Sequence, residues 1–148
     1  SSDHGQTHQA RAGVYVEDEP VTIENVSTSP GFTRQGILDG LRARRAFGST
    51  IAVVMQVSIG EHALGQEITL SKAPTIKASM HAPVEIVRLE VVRNSQFVYT
   101  KQPNKPQASF EFSDLDLRPG QSAYYYGRAQ IGEDDYAWSS PIWVTREP

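Results

Sequence analysis

The densest group of side chains able to hold a metal or move a proton lies at the start of the chain, in Ser1-Ser2-Asp3-His4-Gly5-Gln6-Thr7-His8. A carboxylate beside an imidazole is a donor set that Zn, Mn and Fe recruit, and the adjoining glycine leaves room for a metal or phosphate to approach the backbone. Asp3, His4 and His8 are therefore the candidate metal ligands, although the same residues also suit a polar loop. Elsewhere the chemistry thins out. Glu61 and His62 lie between two strand-like runs among glycines and read as a polar turn. His81 precedes Ala82-Pro83 at the end of another run and has no acid near it in sequence. No Gly-x-Ser-x-Gly elbow, phosphate-cradling glycine loop or His-Glu-x-x-His motif occurs. No catalytic residue and no organic-cofactor residue is expected.

Composition narrows the classes. With 39% hydrophobic and 21% charged residues over 148 positions, a packed fold is the default rather than disorder. The absence of cysteine excludes disulfides, thiolate metal sites and a cysteine nucleophile, and leaves the compartment open. A net charge of −3 gives no reason to expect nucleic acid. Arg34, Arg42, Arg44 and Arg45 cluster, but on one expected helix, where they read as its solvated face. The apolar run Ile51 to Val54 falls far short of the roughly 20 residues of a membrane helix, and the polar N-terminus does not read as a signal peptide. Oligomeric state is left open.

These residues must be positioned by the elements around them. Residues 13 to 17 read as one short strand, which must pair with something absent or distant, because a lone strand leaves its backbone groups unsatisfied. A helix is predicted from Thr33, its N-cap, to Phe47, with Ile37, Leu38 and Leu41 on one face and Gly48 as its stop. Together they look like one strand-helix unit without companions. From residue 51 the period changes to two, with strands predicted at 51 to 59, 67 to 70, 75 to 81, 86 to 94, 96 to 100, 109 to 113, 122 to 131 and 137 to 145. Short strands without intervening helices argue for an antiparallel sandwich or barrel. Asn94-Ser95 reads as a two-residue hairpin turn. The division is thus 1–50 for the strand-helix unit and 51–148 for a β module.

The last third runs Leu117-Arg118-Pro119-Gly120, then Ala123-Tyr124-Tyr125-Tyr126-Gly127-Arg128-Ala129, a hairpin, and Ser139-Ser140-Pro141. It resembles the final hairpin of fibronectin type III domains, in which a tyrosine hydroxyl bonds back to the backbone; Tyr124 is the best match. Pro141 would suit an edge strand. Alternation puts Tyr124 and Tyr126 on one face and Tyr125 on the other. The aromatic residues suit a core plus an interface better than a carbohydrate platform, which needs several coplanar exposed rings.

The order Ser1-Ser2-Asp3-His4, short strand, Thr33-Arg34-Gln35-Gly36-Ile37-Leu38-Asp39-Gly40-Leu41-Arg42 through Thr50, then a β module containing Ala137-Trp138-Ser139-Ser140-Pro141-Ile142-Trp143-Val144, resembles the C-terminal region of PHP-domain metallohydrolases of the DUF3604 (CehA/McbA-like) type. The resemblance implies that residues 1–50 end a β/α barrel and that a late Ser-Asp-x-His motif falls on Asp3 and His4. Here the two are adjacent, so the histidine ligand is His4, His8 or both. It further implies divalent Zn, Mn or Fe in the intact parent, a phosphoesterase-like hydrolysis, and the rest of the barrel as partner. Lacking the family's earlier ligands, the chain alone is expected to be inactive and to bind metal weakly or not at all. The alternatives are a free-standing fibronectin-like binding module and a small mononuclear metalloprotein using Asp3, His4 and His8. Neither nucleic acid nor membrane insertion is expected.

Overall fold

The computed structural model describes residues 10–16 and 33–148. Asp3, His4 and His8 lie outside the described residues. Along the chain run β1 (Arg11–Val14), α1 (Arg34–Arg42), β2 (Ala46–Ser49), β3 (Val54–Ile59), β4 (His62–Ala63), β5 (Glu67–Leu70), β6 (Thr75–Arg93), β7 (Gln96–Lys101), β8 (Lys105–Ser113), β9 (Ser122–Ile131), β10 (Asp135–Ser139) and β11 (Ile142–Arg146). The fold is mainly β, and the eleven strands among the described residues belong to one curled sheet.

The spine of that sheet is β6. Its first half pairs with β3 on one side and β8 on the other; its second half pairs with β7 and β9. The two strands predicted at 75 to 81 and 86 to 94 are thus joined into one of 19 residues. Proline at 83 removes a donor, but its fixed φ suits extended backbone, so the chain stays extended while the ladder to β8 slips between His81 and Ile86. There the sheet bends, and its halves face each other. Gly127 of β9 shows how closely: a Cβ built there would lie 2.7 Å from both Met55 Cε and Val57 Cγ2 of β3.

Between the halves lies the core. Along β9, Ala123, Tyr125, Ala129 and Ile131 point inward, meeting the layer that includes Met55, Ile59, Ile76 and Met80. Every member of this buried hydrophobic cluster falls between Met55 and Val144, and the segments before residue 50 add only partly buried Tyr15 and Phe47 at its margin.

The N-terminal elements differ from expectation in informative ways. Thr33 caps α1 as predicted, its Oγ1 accepting from the Gly36 amide at 2.9 Å. The helix nevertheless stops at Arg42 instead of Phe47. Residues 46–49 find the open edge of β10 and form β2, which then pairs antiparallel with β1. A ladder to an existing edge, with β1 then added on the other side, satisfies the backbone groups of residues 46–49 on both sides. Gly48 is consequently a strand residue, not the helix stop. The strand read at 13 to 17 is observed at Arg11–Val14, its distant partner being β2, and the sheet runs across residue 50.

Later, the run 137 to 145 divides into β10 and β11 around Pro141, which sits in the connection and accepts from the Gly65 amide at 2.9 Å. Beyond it, β11 pairs with β5 in parallel, unlike the other pairings among the described residues. The Asn94-Ser95 turn is present, with φ of 46° and 67°, the left-handed pair of a type I′ hairpin.

Candidate binding face

Because β9 alternates strictly, burying Tyr125 turns Tyr124, Tyr126, Arg128 and Gln130 to the opposite, outer face. Register then assembles a patch from residues far apart in sequence. Arg128 stands opposite Glu90 of β6 and Trp138 of β10; Tyr126 stands opposite Val92, whose other neighbour is Phe97 of β7. Tyr136 faces Gln130, and Trp143 of β11 faces Tyr124.

The rings are ordered in pairs. Tyr124 and Tyr126 lie 6.5 Å apart at 9°, Tyr136 and Trp138 5.7 Å apart at 24°. The Arg128 guanidinium carbon sits 5.3 Å from the Phe97 ring and 5.0 Å from the Tyr136 ring, and its Nη1 donates to Glu90 Oε2 at 2.8 Å. Arg44 covers Trp143 in the same way, at 4.7 Å. Cations over aromatic faces are attracted by the ring quadrupole, more so when partly desolvated. Glu90 is only 3% exposed although it faces outward, whereas Phe97 is 58% and Trp138 41% exposed. Next to Trp138, Gly48 leaves the surface open, with nothing within 4 Å of a built Cβ. Rigid rings around a fixed cation offer a surface suited to binding.

The network on the inner side of the same strands corrects one expectation. Tyr124 does not close a corner onto the backbone: its hydroxyl meets Ser95 Oγ at 2.8 Å. Tyr125 is the buried tyrosine, donating to Asp114 Oδ2 at 2.8 Å, and Arg93 Nη1 reaches both Asp114 oxygens at 3.0 and 2.7 Å. Burial, then the Asp114 carboxylate, pushes the Tyr125 hydroxyl well above the usual phenol range.

Among the described residues, no group of three or more His, Cys, Asp or Glu is placed to hold a metal. His62 belongs to β4, its Nδ1 3.2 Å from Gln66 Oε1, and His81 is exposed on β6. A groove of about 900 Å³ is lined by residues including Tyr15, Gln56, Ser58, Glu61, Lys77 and Glu111. Within it Lys77 pairs with Glu111 at 3.3 Å. Sequence reading missed the Phe97–Arg128 contact; its one signal was the spacing of Tyr124, Tyr126 and Arg128 at every second position.

No family model matches the chain. It is 26% identical to an uncharacterized protein of Chlamydia pneumoniae over 159 residues, covering 89% of this chain and 25% of that protein. It is also 25% identical to an uncharacterized protein of Chlamydia trachomatis serovar D, covering 76% of this chain and 21% of that protein. The chain thus spans a quarter or less of the length of these curated relatives. Among solved structures, the neutron crystallographic structure of a Jonesia denitrificans lytic polysaccharide monooxygenase matches 59% of this chain and 60% of its own, with TM-score 0.40 and 17% identity, too remote to bear on what this chain does.

Proposed function

We propose that this chain is the C-terminal part of a metal-dependent, phosphoesterase-like hydrolase. In this reading residues 1–50 complete a PHP-type barrel, Asp3 with His4, His8 or both contributes to a divalent-metal site, and residues 51–148 form an accessory fibronectin-like sandwich. The observation that carries it is α1. An amphipathic helix needs its apolar stripe buried, yet Ile37, Leu38 and Leu41 are 38%, 37% and 46% exposed and only Gly40 is buried. Gly40 seats the helix on β1, where a Cβ would lie 2.7 Å from Tyr15 O and Val14 Cγ1. Among the described residues nothing covers this apolar face, which suits an element whose neighbours lie elsewhere in a larger protein. That the chain matches a quarter of a longer relative fits the same reading.

Among the described residues no donor set fits the metal, and in this reading the ligands from this chain are Asp3 with His4, His8 or both, outside the described residues. In the intact parent the metal would supply an activated water. In this reading the β module contributes structure to that chemistry, since the fully buried members of its core fall after residue 50. A second reading, a free-standing interaction module, is favoured by the exposed rings of the binding face.

The reading frame upstream of Ser1 decides between them. It should continue and encode a His-x-His motif able to supply the remaining ligands; a start codon directly before Ser1 would overturn the hydrolase reading.

A further inference from the structure

We propose that the outer face centred on Arg128 is the surface on which the preceding part of the same polypeptide docks, a proposal that rests on the hydrolase reading above. Four observations converge on it.

The aromatic face and the uncovered helix lie on one side of the sheet. Register sets Ala12, Gly48, Trp138, Arg128 and Glu90 in one row across β1, β2, β10, β9 and β6. Val14, two residues from Ala12 and so on the same face, is the side chain that α1 rests against through Gly40. A partner reaching Ile37, Leu38 and Leu41 therefore approaches from the side that bears Trp138.

The composition is that of an interface centre. Tryptophan, tyrosine and arginine dominate binding hot spots, where they bury large rigid area at small entropic cost. Here Arg128 is already held by two rings and by Glu90, so little freedom remains to be lost on docking.

Charge defines the partner's chemistry. Arg44, Arg88 and Arg128 stand on this face against Glu67 and Glu90, in a chain whose net charge is −3. Arg44 and Arg128 are paired with these acids, so Arg88 supplies the excess charge, and the face fits an apolar surface that carries an acid.

The occupant follows from chain length. About nine-tenths of this chain matches a quarter of a relative, leaving most of that longer polypeptide to provide a covering surface. A tethered partner needs only a modest patch, because linkage holds it at high effective concentration.

The chain has no cysteine, which makes thiol labelling the direct test. Phe97→Cys and Trp138→Cys are placed on the face, with Leu115→Cys as an exposed comparator. Each is made in the 148-residue chain and in the longer gene product, and N-ethylmaleimide uptake is followed by mass spectrometry of the labelled peptide. Positions 97 and 138 should react at least about tenfold more slowly in the longer protein, as expected for a desolvated interface core, while position 115 reacts equally in both. Equal rates at all three positions would overturn the docking. So would protection that grows with the concentration of the isolated chain, which would assign the face to a second copy. A longer protein that hydrolyses phosphodiesters but labels freely at position 97 leaves the hydrolase reading standing; one that protects position 97 without metal-dependent hydrolysis does the reverse.

Discussion

Replacing Asp114 with alanine should remove about 3 kcal/mol of stability, the low end of what breaking a buried ion pair costs. Asp114 is 2% exposed and collects four hydrogen bonds: two from Arg93, one from the Tyr125 hydroxyl and one from the Asp116 amide at 3.0 Å. Alanine strands a guanidinium and a buried phenol together. The Arg93 side chain keeps 20% of its exposure, so water recovers part of its solvation, which sets the value at the low end. Tyr125→Phe, which removes a single bond to a charged acceptor, should cost about 1.5–3 kcal/mol. Urea unfolding of the two variants checks the order. A loss below about 1 kcal/mol for Asp114→Ala, the scale of an exposed ion pair, would show that the network does not pin β6, β9 and the loop after β8 together.

Gly127→Val should be nearly as costly, about 2–3 kcal/mol, through overpacking. Gly127 is the point where the curled sheet brings β9 against β3, and its amide also donates to Ser139 Oγ at 2.9 Å, so the backbone has little room to retreat. Alanine asks only for a shift of the Met55 and Val57 methyl groups, whereas valine adds two more carbons to a filled space. For a chain of this size the loss corresponds to a melting temperature lower by roughly 5–10 °C. Met55→Ala in the same chain should recover part of it, since neighbours that share a space are energetically coupled. A valine variant that melts like the parent would contradict the facing of the two halves.

The elements most legible in sequence were those with their own period. In β9, apolar and small residues alternate with tyrosine and arginine over ten positions, and the predicted 122 to 131 coincides with the observed strand. The bounds of β5 were equally clear. By contrast, β2 has the sequence Ala-Phe-Gly-Ser and no alternation of its own; it is a strand because β10 offers an edge. Pro83 read as a break, yet proline is compatible with extended backbone at a bend where the ladder slips. Period two paired Tyr124 with Tyr126 correctly but could not say which face was inside, because that is decided by Asp114, which accepts from Tyr125. The binding face was the least legible. Phe97 and Arg128 meet only through the register of β7, β6 and β9, which no local pattern encodes. Asp3, His4 and His8 rest on residue chemistry and on the family resemblance.

The central claim, that this chain carries part of a metal site and not a whole one, is tested most directly by titrating the 148-residue chain with Mn²⁺ and Zn²⁺ in a calorimeter while assaying phosphodiester hydrolysis in the same samples. A metal needs four to six ligands and a supporting shell, more than Asp3, His4 and His8 provide. The account predicts weak, substoichiometric binding that disappears when Asp3 and His4 are replaced by alanine, with no turnover. Tight one-to-one binding accompanied by hydrolysis would contradict it.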